Sequence, residues 1–374
     1  MSRRVEILES HLSIHRPTES PYRDELIQTV SHILRPGKGL LAADESMSTV
    51  EKRFKTINLP NTDTNRRRFR EFLFSAPGLN EYVSGVILHE ETLGQKNSKG
   101  TSFVESLSQQ GILAGVKTDK GVVPFVGGAP GEQATQGLDD YLARASAFYK
   151  QGARFCKWRN VFKIQCGTVS DKLVQHNAET LARYALLSQQ AGLVPIVEPE
   201  VMIDGTHSID ECARVSERVW FAVAQKLHEY GVIWEGMLLK PNMVLPGIDC
   251  PKKATAQEIA RATVTTLSRT IPAACRGVVF LSGGLSEVQA TEYLNAMNSK
   301  DLKAPRPWAL RFSYARALQN SAIKAWQGKD QFANKGQAVL LHRARMNSNA
   351  ARGIYRREED DSVSESLYVK DHKY

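Results

Sequence analysis

The chain has 374 residues, 42% hydrophobic and 24% charged, and no apolar run approaches the ~18 residues that a helical membrane span needs. Its net charge of +9 admits an anionic partner, but the densest basic run, Arg66-Arg67-Arg68, has no interleaved aromatics, which excludes nucleic acid as the expected one. Cys156, Cys166, Cys212, Cys250 and Cys275 form no C-x-x-C pair, which argues for free thiols and against a disulfide framework or zinc knuckle.

Residues 1–37 are polar and are read as an N-terminal extension. The pair His11 and His15 within it lacks the Glu of H-E-x-x-H, so no metal site is expected. From residue 38 an alternation begins: a short apolar run, a polar turn, then a segment with helical spacing. The first four runs are "GLLAAD" (39–44), "SGVILHE" (84–90), "GILAGVKTD" (111–119) and "RFCKWRN" (154–160). The second four are "LVPIVEPE" (193–200), "WEGMLLKP" (234–241), "GVVFLSGG" (277–284) and "WALRFSY" (308–314). Between them lie helical patterns such as "YLARASAFYKQG" and "ECARVSERVWFAVAQKLHEYG". Runs apolar on both faces and separated by helices read as parallel strands buried under a helical layer. Eight such units over 38–342 predict a single-domain (β/α)8 TIM barrel. An open doubly wound sheet is the runner-up, weakened because G-x-G-x-x-G and G-x-x-x-x-G-K-[ST] are both missing. Residues 343–374, polar and without periodicity toward their end, predict a mobile C-terminal tail.

Each apolar run delivers polar residues at its C-terminal end. In chain order these are Asp44, His89 with Glu90, Lys117 with Asp119, Lys157 with Arg159, and Glu198 with Glu200. Lys240, Ser282 with Gly283 and Gly284, and Ser313 with Arg316 complete the series. One such residue alone is a solvated strand end or a structural ion pair; the whole set converges on the barrel face where active sites are built. Lys157 and Arg159 are two apart, as are Glu198 and Glu200, so each pair points to one side of its strand. Two cations and two carboxylates in one cavity can push proton affinities apart, which separates acid from base.

Ser282, Gly283 and Gly284 offer a hydroxyl and bare backbone N–H groups to an anion, and Arg316 opens the helix after the last strand. A second anion site is expected where "ADESMSTVEKRF" turns into a helix, with Ser48 and Glu51 at capping-box spacing, Ser46 and Thr49 as hydroxyl donors, Arg53 beyond, and Lys117 across the mouth. Two anion sites flanking a lysine suggest a bisphosphate. That lysine is Lys240, which follows Met237-Leu238-Leu239. Desolvated, with Lys157 as a cationic neighbour, its amine is expected to lose its proton readily and attack a carbonyl to form a Schiff base.

The segments "LLAADES", "GVKTDKGVVPF", "KWRNVFKI", "VPIVEPE", "LLKPNMV", "FLSGG" and "WALRFSYARALQ" resemble, in order and spacing, the class I fructose-1,6-bisphosphate aldolases. The resemblance implies a barrel that is usually a homotetramer and that cleaves fructose 1,6-bisphosphate reversibly to dihydroxyacetone phosphate and glyceraldehyde 3-phosphate, in glycolysis and gluconeogenesis, without metal or other cofactor. It makes Lys240 the imine-forming amine, Glu198 the acid/base of carbinolamine dehydration and Asp44 the base for the C4 hydroxyl, with Lys157 and Glu200 balancing charge. Ser282, Gly283, Gly284, Ser313 and Arg316 resemble the C1-phosphate cradle. Ser46, Thr49, Arg53, Lys117 and Arg159 are similar to the residues facing the rest of the sugar and the C6 phosphate. Tyr374 matches a terminal tyrosine that exchanges the C3 proton. Met47-Ser48-Thr49 departs from the threonine, glycine and serine of many relatives.

"RVEILESHL", Arg4 to Leu12, is similar to the N-terminal peroxisomal targeting nonapeptide. It implies an import receptor as partner and a peroxisome or glycosome as destination; an ordinary amphipathic N-terminal helix, and with it the cytoplasm, is the alternative. Two further readings of function stay open at this point: another Schiff-base barrel enzyme, a transaldolase or monophosphate aldolase, and a binding or scaffold role in addition to catalysis.

Overall fold

The computed structural model describes residues 20–362 and 364–370. The barrel strands are β1 (Gly39–Ala43), β2 (Val83–Leu88), β3 (Leu113–Lys117), β6 (Phe155–Phe162), β7 (Val194–Val201), β8 (Leu238–Leu239), β9 (Gly277–Phe280) and β10 (Ala309–Tyr314). They close in the order β1-β10-β9-β8-β7-β6-β3-β2, all parallel. A two-stranded hairpin, β4 (Val122–Pro124) with β5 (Gln133–Thr135), inserts between β3 and β6. The principal helices are α1 (Arg23–Ile33), α2 (Met47–Lys55), α3 (Asp63–Phe74), the short α4 (Glu90–Leu93), α5 (Phe103–Gln109) and α6 (Tyr141–Lys150). They continue as α7 (Asp171–Gln190), α8 (Ile209–Glu229), α9 (Ala256–Thr270), α10 (Glu287–Asn298), α11 (Arg316–Trp326) and α12 (Ala333–Ala350).

Strand alternation sorts the apolar residues into two cores. Leu40, Ala42, Ile87, Phe155, Ile196, Leu238 and Val279 fill the barrel interior. Their neighbours in sequence, such as Leu41, Ala43, Trp158, Val197, Leu239 and Val278, pack outward against the helices. Gly115 is required by this packing, since a Cβ there would lie 2.2 Å from the Phe155 ring. Continuing the inward parity one or two steps along β6, β7, β8 and β1 gives Lys157 and Arg159, Glu198 and Glu200, Lys240, and Asp44. The charged residues therefore form a layer directly above an apolar floor.

Several boundaries differ from the sequence reading. Residues 234–241 look like one apolar strand, but Trp234–Gly236 is a 3-10 turn and β8 keeps only two residues. Lys240 N still donates to Val197 O (2.8 Å), and the proline after it ends the ladder. The extension 1–37 contains α1, whose Leu26, Val30 and Ile33 join the interior cluster and floor the barrel. Helix α12 runs through the expected tail boundary at 342/343, and Arg343, Ala344 and Met346 on it are buried. The α2 cap is also displaced. Ser46, not Ser48, is the N-cap and accepts from Thr49 N (3.4 Å), while Glu51 pairs with Lys55. Residues 4–12 and Tyr374 lie outside the described residues.

Candidate active site

Lys240, Lys157, Asp44 and Glu198 meet at the C-terminal end of the barrel, each at most 1% exposed. Lys157 Nζ lies 2.5 Å from Asp44 Oδ2 and 3.4 Å from Glu198 Oε2, and Lys240 Nζ lies 3.3 Å from Glu198 Oε1. Lys240 is thus desolvated, as its apolar approach predicts, but its immediate company is charged rather than oily. Burial lowers its proton affinity; Glu198 opposes that, and Lys157 reinforces it. Burial would raise the Asp44 pKa, but Lys157 and Lys240 outweigh it and bring the carboxyl down to about 2. The four groups carry two positive and two negative formal charges. Deprotonating the amine leaves the two carboxylates facing one remaining ammonium.

A second tier surrounds this cluster. Arg159 Nε is 2.5 Å from Glu200 Oε2, joining the two-apart pairs of β6 and β7 as the alternation predicts. Lys117 is turned to Asp119, at 2.7 Å. Ser282 and Ser313 are buried at the ends of β9 and β10, and the Ser313 Oγ has no hydrogen-bond partner among the described residues. Gly283 and Gly284 both take positive φ, +52° and +92°, turning the loop across the mouth. Arg316 sits at the first turn of α11 and donates to the Leu367 carbonyl.

Residues that the sequence reading missed complete the mouth. Glu45, beside Asp44, pairs with Arg53 (2.7 Å) and with Arg70 (2.5 Å). Gln319 Oε1 accepts from Arg53 Nη1 at 2.6 Å. Tyr368 donates to Asp204 Oδ1 at 2.6 Å, while Leu367 N donates to Gly284 O at 3.1 Å. So part of the expected tail, with Glu365 bound to Lys324 (3.0 Å), lies along α11 and the glycine loop. Among the described residues, the one grouping with metal-ligand spacing is His342, Asp360 and Asp361. It lies at the root of the tail, where Asp360 already accepts from Arg343 (2.8 Å) and Tyr355 (2.9 Å).

A buried amine flanked by an acid and a second lysine, above a parallel barrel, fits Schiff-base aldol chemistry. The family model described as fructose-bisphosphate aldolase class-I matches residues 25–374. The chain belongs to the class I fructose-bisphosphate aldolases. This aldolase is 52% identical over 359 residues to the fructose-bisphosphate aldolase of Dictyostelium discoideum, covering 95% of this chain and 99% of that one. It is 52% identical over 355 residues to the cytosolic fructose-bisphosphate aldolase 5 of Arabidopsis thaliana, covering 94% and 98%. Among solved structures, the fructose-bisphosphate aldolase of Plasmodium falciparum, in a ternary co-crystal with TRAP and a small-molecule inhibitor, superposes with a TM-score of 0.88 at 47% identity, over 91% of this chain and 99% of that one. The aldolase is accordingly a lyase with the barrel fold that the alternation implied.

Proposed function

We propose that this aldolase cleaves fructose 1,6-bisphosphate through an imine on Lys240, without a metal. The observation that carries the reading is the Lys240 amine, buried and 3.3 Å from Glu198, with Lys157 bridging Glu198 and Asp44. Lys240 Nζ adds to the C2 ketone, Glu198 protonates the departing hydroxyl, and loss of water leaves a protonated imine. Asp44 takes the C4 hydroxyl proton as the C3–C4 bond breaks. Glyceraldehyde 3-phosphate departs, and the electron pair left on C3 is stored as an enamine by the cationic nitrogen. Protonation at C3, the step assigned to Tyr374, and hydrolysis then release dihydroxyacetone phosphate and regenerate the amine. A pKa of about 2 keeps Asp44 ionised at neutral pH but makes it a weak base.

The substrate spans two anion sites: Ser282, Gly283, Gly284, Ser313 and Arg316 at C1, and Ser46, Thr49, Arg53, Lys117 and Arg159 toward C6. The Ser313 hydroxyl, which has no hydrogen-bond partner among the described residues, supports the first. Sodium borohydride with dihydroxyacetone phosphate should reduce the imine and leave a stable adduct that mass mapping places on Lys240. An unlabelled protein, or an adduct elsewhere, sinks the mechanism, and activity abolished by EDTA sinks its metal-free form.

A homotetramer and organelle import complete the proposal. The first rests on the family resemblance, and sedimentation velocity tests it. The nonapeptide at residues 4–12 precedes the family match that starts at residue 25, which supports a role for it outside the catalytic barrel. Residues 1–20 fused to a fluorescent protein should give puncta if a peroxisomal or glycosomal receptor reads them. Diffuse fluorescence would favour the cytoplasm.

A further inference from the structure

The arginine assigned to the C6 end of the substrate does not stand alone. Arg53 Nη1 reaches both Glu45 Oε1 (2.7 Å) and Gln319 Oε1 (2.6 Å), and Gln319 is itself fixed by its Nε2 donating to the Ala42 carbonyl (2.7 Å). Arg53 Nη2 is buried with no hydrogen-bond partner among the described residues, a spare donor on a clamped guanidinium. Behind Glu45 stands Arg70 of α3, which is 2% exposed. Its Nη1 lies 2.5 Å from Glu45 Oε2, and its Nη2 donates to the Glu45 carbonyl (3.2 Å).

One buried carboxylate shared by two guanidiniums is a triad with formal charge +1. Paired with Arg53 alone, Glu45 would cancel the charge that an incoming phosphate has to feel, and the site would be a neutral dipole. Among the described residues the hydrogen bonds of Arg70 go to Glu45 and to no residue assigned to the reaction, and its guanidinium accounts for the uncancelled charge. It also holds the backbone of Glu45, next to Asp44. Little solvent reaches the group to screen a change in this balance.

We propose that Arg70 is a positioning residue for bisphosphate selectivity: by taking half of the Glu45 carboxylate it leaves Arg53 net positive and aimed at the C6 phosphate. This rests on the reading of the chain as a bisphosphate aldolase with Arg53 toward C6. It assigns selectivity to a residue that never meets the substrate. A purely structural Arg70 would not behave this way: through charge, removing two opposite charges should do less harm than removing one.

The test measures KM and kcat for fructose 1,6-bisphosphate and fructose 1-phosphate in the full-length wild type, Arg70→Met, Arg70→Lys and the double variant Glu45→Gln with Arg70→Met. In Arg70→Met the bisphosphate KM should rise about tenfold relative to the monophosphate KM, in the range of couplings within a charged network. Arg70→Lys should retain most of the selectivity. The double variant, with Arg53 again uncancelled, should regain it. An unchanged KM ratio in Arg70→Met overturns the proposal, as does a double variant less selective than the single one. If Arg70→Met does not fold, the double variant decides alone: selectivity at or above wild type supports the charge argument, and its loss refutes it. A wild type that cleaves neither sugar refutes the aldolase reading instead, so the two failures are distinguishable.

Discussion

At the scale of single residues, Lys240 separates activity from stability. Its proton affinity is depressed in the folded chain, chiefly by burial. The unfolded chain therefore holds that proton to higher pH than the folded one, and at neutral pH the buried lysine works against folding. Lys240→Met removes the amine, keeps an unbranched side chain of similar length, and leaves Glu198 its contact with Lys157 (3.4 Å). The variant should lose at least ~10⁴-fold in kcat, as deletion of a covalent nucleophile does elsewhere. Its thermal midpoint should nevertheless equal or exceed that of the wild type. A midpoint several degrees lower would show that Lys240 contributes more through its ion pair than it costs through burial.

At the scale of elements, the two proposed anion sites belong to different strand ends, and this predicts different substrate dependence. Both fructose 1-phosphate and the bisphosphate present a C1 phosphate, so damage to the loop after β9 should affect both. In Gly284→Ala a Cβ is added at φ +92°, 3.0 Å from the Tyr368 Cα, so the loop or the tail must move. Strain of this kind is worth about 1–3 kcal/mol. KM should rise about tenfold for both sugars with a lower thermal midpoint, whereas Arg53→Ala should raise it for the bisphosphate alone, by about tenfold for the loss of a charge-assisted contact. Equal effects of Arg53→Ala on both sugars would move that residue away from C6. The period of two along β6 and β7 made Lys157, Arg159, Glu198 and Glu200 legible in the sequence, because inward parity there decides which polar residues share a cavity. The Glu45 triad was not legible, since it depends on how α3 packs over α2 and α11. Nor was the tail: its backbone bonds to Gly284 and Arg316 leave no periodic mark, and the length of β8 was hidden because Trp234 and Met237, on either side of Glu235 and Gly236, extend the apolar look of Leu238-Leu239 beyond the paired residues.

At the scale of the whole molecule, burial of charge sets the direction of the pH response. Asp44 falls from 3.8 to about 2; Glu45 is also held below its usual 4.5, because Arg53 and Arg70 outweigh its burial. At the root of the tail, Asp360 is likewise depressed, where hydrogen bonding from His342 and the Arg343 charge outweigh desolvation. For Asp44, Glu45 and Asp360 the folded pKa is the lower one, whereas burial raises Glu287 and Glu292 and opposes the trend. The stabilisation from each of the first three is present above the unfolded value and is lost as pH falls through the folded value; for Asp44 this amounts to about 2 kcal/mol, lost between about pH 4 and 2. His89 and His207 act in the same direction, since burial lowers both from 6.5 and acid must charge them. Unfolding free energy from urea titrations should therefore begin to decline below about pH 6.5 and fall more steeply below about pH 4.5. Asp360→Asn tests the carboxylate share far from the chemistry: it removes the charge that Arg343, fully buried, is paired with at 2.8 Å. The variant should be less stable by about 2–4 kcal/mol at pH 7, because a buried guanidinium loses its counter-charge. Its stability should also decline less steeply than that of the wild type as the pH drops below 4, since one depressed carboxyl no longer titrates. An unchanged acid slope would mean that Asp360 retains its ordinary proton affinity in the folded chain, and that the tail is held by its backbone bonds to Gly284 and Arg316 rather than by charge at its root.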